Sequence, residues 1–295
     1  MPTVHAPRRL VRAWLRSLLV LGLGVALGIG GAIAEPEFIP IDEYVGPDGL
    51  SGDALYQRIL ENRFDAFEQT LALRSGAPGG RYSETRLRLR HRSYREESDG
   101  ILSKTIAKYF EPGDVRHLGY LVINKRSGPD DQFVYRPSAR KVRRVNVRGE
   151  AIAGTDFSFE DIVPPEFEDA THHRMPDEEI DGVPVYVITV VPRPETESEY
   201  AKLVIYVEKE HFVPIRTLYW DNKRVLVKRL DARRDSIERR SARYSGEPRD
   251  VWVAMRSRMQ HLKLETFTEL SIEELRADPK LRDRHFSERE LTASR

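Results

Sequence analysis

The chain has 295 residues, with 48 Lys+Arg against 47 Asp+Glu, and no cysteine. So close a balance argues against a general nucleic-acid binder, which carries a basic surplus. The missing cysteines exclude disulfides, thiolate zinc sites, cysteine nucleophiles and lipid attachment, while the length accommodates a sizeable core.

In chain order, Arg8, Arg9, Arg12 and Arg16 precede an uncharged run from Ser17 to Ala34 that ends in the small-x-small site Ala32-Ile33-Ala34. This is the pattern of a cleavable secretory signal peptide over 1–34. Glycines at 22, 24, 28, 30 and 31 suit it better than a packed membrane helix, although the run is close to a bilayer-spanning length and an uncleaved anchor is the alternative. The expected location is the periplasm, as a protein that is not itself a lipoprotein. Residues 35–53, rich in Pro, Gly and acids, read as an extended lead-in, and 54–295 as one domain. Ser51 or Asp53 caps a predicted helix whose apolar face is Leu55, Ile59, Leu60, Phe64 and Phe67.

After the loop at 75–80 the period changes. Thr85, Leu87 and Leu89 alternate with Arg86, Arg88 and Arg90, as in a half-buried strand. Strand-like runs then follow, separated by turn signals such as Gly128-Pro129-Asp130 and Asp181-Gly182. Ten or so short strands without intervening helices predict an antiparallel meander, not a parallel α/β sheet. The segment SIEELRAD (271–278) reads as a short capped helix stopped by Pro279. The segment 154–167, with aromatic residues, acids and two prolines, reads as a loop or short helix inserted between two halves of the sheet.

The stretch from Phe110 to Ile162 carries Pro112 with Asp114, Asp130-Asp131-Gln132, Tyr135-x-Pro137, Arg140-x-x-Arg143-Arg144 and Gly154-x-Asp156-Phe157-x-x-Glu160-Asp161. Farther on stand Asp181-Gly182-x-Pro184-Val185-Tyr186, Lys209-x-x-x-x-Pro214, Trp252, Phe286 and Leu291. In these marks the chain resembles the LolA-like outer-membrane lipoprotein-sorting proteins, in particular their poorly characterised periplasmic branch. Arg136 stands where that resemblance leads one to expect an apolar residue. The resemblance implies a mainly β fold: a half-open antiparallel β-barrel (LolA/LolB-like) with helices covering the concave face. It also implies a monomeric carrier, not an enzyme, that needs no cofactor. The cargo would be a lipid or the acyl group of a lipoprotein, handed to an inner- or outer-membrane partner such as an RND-type exporter. The alternative on the same fold is an envelope sensor or accessory interaction protein.

The expected ligand cavity is lined by Leu87, Leu89, Ile106, Leu118, Phe133, Val187, Ile205, Leu218, Trp220 and Trp252. Arg140, Lys141, Arg143, Arg144 and Arg148 form the densest cationic cluster. It is either a solvated strand face, with Val142, Val145 and Val147 turned inward, or a patch for lipid phosphates or an acidic partner. Asp156, Glu160 and Asp161 are expected to pair with Arg140, Arg143 and Arg144 and so latch the inserted loop. Phe157 and Phe159 anchor that loop or gate the cavity. His172 and His173, adjacent in an extended chain, point to opposite sides and cannot easily share a metal. Asp177, Glu178 and Glu179 read as a solvated acidic run. No catalytic motif stands out.

Overall fold

The computed structural model describes residues 44–94, 100–127, 130–145, 151–152, 154–162, 166–244 and 247–293. The expected signal peptide, most of the lead-in, Val147 and Arg148 of the cationic run, and 163–165 of the inserted loop lie outside them. The expected helix is α1 (Gly52–Glu61), capped by the Ser51 side chain, which accepts from the Ala54 amide. It is shorter than its apolar spacing suggests. Phe67 already belongs to β1 (Ala66–Gly76), and Phe64 lies in the connection, where it packs on Val251 and Ala242.

The N-terminal half of the sheet is a meander of β1, β2 (Tyr82–Ser93), β3 (Ile101–Glu111), β4 (Gly119–Lys125), β5 (Asp131–Arg136) and β6 (Lys141–Arg144). A short helix α2 (Phe159–Ile162) follows. The second half is β7 (Ala170–Ile180), β8 (Val183–Pro192), β9 (Tyr200–Glu208), β10 (Pro214–Asp221), β11 (Leu226–Ala232), β12 (Ile237–Tyr244), β13 (Glu247–Ala254), β14 (Arg256–His261) and β15 (Thr266–Ala277), closed by α3 (Glu288–Thr292). Thirteen strands form one antiparallel sheet, in the order β6-β5-β4-β3-β2-β1-β15-β14-β11-β10-β9-β8-β7, while β12 and β13 pair separately. β6 and β7 are its two open edges.

One expectation is corrected. SIEELRAD is not a helix but lies within β15, where pairing with β1 along nearly its whole length overrides helical spacing. The His172 stretch with its acidic run is strand β7, an edge strand whose ladder is interrupted at Pro176, where a missing amide does least harm.

The sheet is curled. In a flat sheet of this order β5 and β8, ten places apart, would stand about 48 Å from each other at ~4.8 Å per strand. Yet Val134 of β5 and Ile188 and Val190 of β8 belong to one apolar cluster on the concave face. With them are Leu71, Leu73, Leu87, Leu89, Tyr109, Tyr120, Leu203, Tyr219 and Met259 from the strands between, and Leu55, Tyr56 and Ile59 of α1. The convex face is covered too. Phe286, Leu281 and Leu291 of the C-terminal segment pack on Ile106, Leu121 and Phe133. The contact is close enough that a Cβ on Gly119 would lie 2.8 Å from Leu291 Cδ1. Farther round, Val185, Val187, Val204, Leu218 and Trp220 form a third cluster.

Candidate functional site

Beside α1, residues 151–152 and 154–162 cover the concave face like a plug. Ile152 and Phe157 are buried in the main cluster, Phe159 and Ile162 pack against it, and the Phe159 ring sits 4.3 Å from that of Tyr120 on β4. The acids fasten the plug elsewhere. Asp156 accepts from the hydroxyls of Thr266 (2.5 Å) and Thr268 (2.9 Å) on β15, while its own amide donates to Thr268 Oγ1 at 2.9 Å. Glu160 accepts from the Ser198 hydroxyl and, at 3.1 Å, from the Glu199 amide, just before and at the threshold of β9. Asp161, whose side chain has no exposure, meets Lys228 Nζ of β11 at 2.8 Å, the Tyr200 hydroxyl at 2.7 Å and the Ser158 amide at 2.7 Å. Burial, with the Asp161 carboxylate alongside, holds the Tyr200 hydroxyl far above its ordinary value, so Tyr200 serves as a donor. One short segment thus grips β4, β9, β11 and β15 together.

These contacts replace the expected arginine latch. Arg144 pairs with Asp131 on the neighbouring strand, and Arg140 and Arg143 have no carboxylate partner among the described residues. The acids and arginines are close in sequence, but the anchors the acids use are 38 to 112 residues away along the chain or, for Ser158, within the plug itself. No sequence signal separates the mostly buried Lys228 from the other cations of its run. Phe157 lies in the concave cluster and Phe159 packs against it.

The ten residues expected to line a cavity do not share a face. Leu87, Leu89 and Ile205 lie in the concave cluster, and Leu118 packs on it. Ile106 and Phe133 face the C-terminal segment, while Val187, Leu218 and Trp220 belong to the third cluster on the opposite side of the strands. Trp252 is on β13, outside the main sheet, its ring stacked 3.5 Å from His211.

At the β6 edge a niche of about 360 Å³ opens beside this core. Val134 and Val145, both packed on the concave cluster, form its apolar floor, and Arg136, Lys141 and Arg143 its walls. Strand register sets this arrangement: Val134 pairs with Arg143 and Arg136 with Lys141, so the three cations rise on the inner face. None of them has an ion pair among the described residues. Lys141 and Arg143 of the cationic run thus join Arg136 in walling the niche, and Val142 faces the other way.

The remaining candidates are structural. His172 Nδ1 is 2.9 Å from Asp53, and its ring stacks on Tyr56 at 4.0 Å. Its Nε2 is buried with no hydrogen-bond partner among the described residues, so the pair lacks the third group a nucleophilic relay needs. Burial depresses the imidazole pKa against the opposing pull of Asp53. Asp177 is not solvated as expected but pairs with Lys209 and with the fully buried Arg174 (2.9 Å), which also grips Asp48. Among the described residues no group of three or more His, Asp or Glu could hold a metal.

Residues 102–293 match the model of a family described as that of an uncharacterized protein. The chain belongs to that family. No curated protein matches it. Solved structures show its fold to be the LolA-like one. An outer membrane lipoprotein-sorting domain, so described, from Vibrio parahaemolyticus has a TM-score of 0.70 at 24% identity, covering 82% of this chain and 98% of that one. A DUF1329 family protein from Desulfovibrio piger has a TM-score of 0.70 at 23% identity, over 81% and 97%. A LolA superfamily protein from Nitrosomonas europaea has 0.60 at 20% identity, over 81% and 98%. These fold relatives are not described as enzymes.

Proposed function

We propose that the protein is a periplasmic carrier. It takes an acyl chain or similar apolar group onto the concave face of the sheet when the plug lifts, and passes it to a membrane partner, which the resemblance suggests is an RND-type exporter. The observation that carries this reading is that one short segment with its own fastenings covers an apolar face shared by both arms of the sheet. Lifting it exposes four apolar side chains, Ile152, Phe157, Phe159 and Ile162, at about 2 kcal/mol each, or roughly 8 kcal/mol. At about 0.8 kcal/mol per methylene, a chain of some ten carbons offsets that loss. Shorter cargo leaves the plug in place. On this reading Arg136, Lys141 and Arg143 of the edge niche, without an ion pair among the described residues, would meet the charged end of such a cargo.

The burial of Ile152 and Phe157 within the concave cluster supports a second reading, an envelope sensor or accessory interaction protein in which this segment is permanent core. Native mass spectrometry of the protein recovered from the envelope, followed by solvent extraction, separates the two. A stoichiometric bound lipid, or uptake from lipid dispersions that rises when Lys228→Met loosens the plug, supports the carrier. A clean mass and no uptake by either form leaves the interaction protein.

A further inference from the structure

Six large apolar side chains are exposed among the described residues, and four of them gather at one rim of the sheet: Tyr82 (47%), Val225 (50%), Leu262 (38%) and Leu264 (62%). Strand pairing places them together. Gly76 at the end of β1 lies opposite Phe267 at the start of β15, and the Tyr82 ring is 5.7 Å from that of Phe267. The Leu262 amide donates to Val227 O at 2.8 Å, joining the β14–β15 turn to the start of β11. Three hairpin tips, β1–β2, β14–β15 and β10–β11, therefore stand side by side on six consecutive strands, a front about 24 Å wide at ~4.8 Å per strand.

Between the apolar residues the same tips carry Arg81, Lys223, Arg224 and Lys263, all exposed and none with an ion-pair partner among the described residues. Two acids stand among them. Asp221 is tied into its turn, accepting the amides of Lys223 and Val225 at 2.9 Å each, and Glu265 is exposed. The next loop along the rim, with Glu195 and Glu197, ends the patch. Lys223-Arg224-Val225 and Leu262-Lys263-Leu264 set apolar side chains beside cations on short, hydrogen-bonded turns. Such tips insert shallowly among acyl chains while their cations meet phosphates.

We infer that this rim docks the protein onto an anionic bilayer surface. The inference rests on the carrier reading for its purpose but not for its evidence. The rim lies at the plug: Thr266 and Thr268, which hold Asp156, are the first residues of the strand that leaves the Leu262–Leu264 tip. Docking thus sets the covered concave face beside the membrane with which cargo would be exchanged.

The test is flotation of the envelope-recovered protein with phosphatidylcholine vesicles, with and without phosphatidylglycerol, at low and high salt. Binding to the phosphatidylglycerol vesicles that weakens with salt is expected. Lys223→Gln/Arg224→Gln/Lys263→Gln should lower partitioning about a hundredfold, and Val225→Ser/Leu262→Ser/Leu264→Ser should abolish what survives high salt. Both variants alter only exposed tips and should keep the wild-type circular dichroism and melting profile. Equal partitioning of wild type and variants, or no flotation at all, overturns the inference, as does rim-dependent capture of an envelope protein by a chain that ignores vesicles. Bound lipid is measured in the same preparations. Salt-sensitive flotation without cargo leaves docking standing and removes the carrier, whereas cargo without flotation does the reverse.

Discussion

Replacing Lys228 by methionine tests the plug directly. Its ammonium lies 2.8 Å from a carboxylate with no solvent exposure, and the lysine side chain itself is 10% exposed. The substitution keeps the volume of the stem but leaves Asp161 charged, buried and held only by Tyr200 and the Ser158 amide. Removing one partner of a buried pair costs about 3–5 kcal/mol, against at most about 1 kcal/mol for an exposed pair. That loss falls on the plugged state. Hydrogen exchange at the Ile152 and Ser158 amides, which donate to Phe157 O and Asp161, should accelerate by roughly 150-fold or more, since each 1.4 kcal/mol is about tenfold. Amides of the β12–β13 pair, which lies outside the main sheet, should change less. Adding Asp161→Asn to Lys228→Met should recover much of the loss, because no uncompensated charge then remains. If Lys228→Met costs under about 1 kcal/mol and leaves both amides as protected as before, something other than this ion pair holds the plug down.

Other consequences are open to measurement. Thr268→Val, which leaves the Asp156 amide, its carboxylate and the Ser75 hydroxyl without their buried partner, should lower unfolding free energy by about 1–3 kcal/mol in denaturant titration. Thr70→Val, in an exposed 3.4 Å contact on the same sheet, should cost almost nothing. Gly52→Ala would set a Cβ 2.4 Å from His172 O and 2.6 Å from the Arg174 amide, so α1 should be pushed off β7 at a cost of about 1–3 kcal/mol, visible as faster exchange in α1. Burial, aided by the Arg63 charge, pushes the His91 imidazole from its ordinary 6.5 down to about 4. The unfolded chain therefore binds the extra proton first, and stability should decline as pH falls from about 6.5 toward 4. A His91→Gln variant should show a flatter profile there, and an unchanged slope would place the acid sensitivity elsewhere.

How much of this was legible beforehand depends on which faces of a strand meet solvent. β2 alternates arginine with leucine because one side is wet, and its inward residues Thr85, Leu87 and Leu89 could be read from spacing alone. β8 and β9 are buried on both sides, Tyr186 and Ile188 toward the concave cluster and Val185 and Val187 away from it. Their runs carry no parity, so Val187 and Ile205, both expected to line the cavity, fell on different faces. β7 escaped notice because an edge strand tolerates His, Asp, Glu and Pro that a central strand excludes. The inserted segment announced itself by composition, but its anchors did not. Thr266, Thr268, Ser198 and Lys228 are ordinary strand or turn residues until folding brings them to the plug.

The plug's fastenings also set how it can let go. Asp156, Glu160 and Asp161 lie within six residues of one another, yet their partners are spread over β15, β11 and the approach to β9. With so short a tether, freeing one carboxylate strains its neighbours, and with one acid stripped of its partner the others cannot hold the segment flat against the sheet. On the carrier reading, departure is therefore cooperative, with little populated between the seated and the lifted segment. The arc of the sheet itself becomes the sensor, since any force that spreads β9 from β15 pulls on every anchor at once.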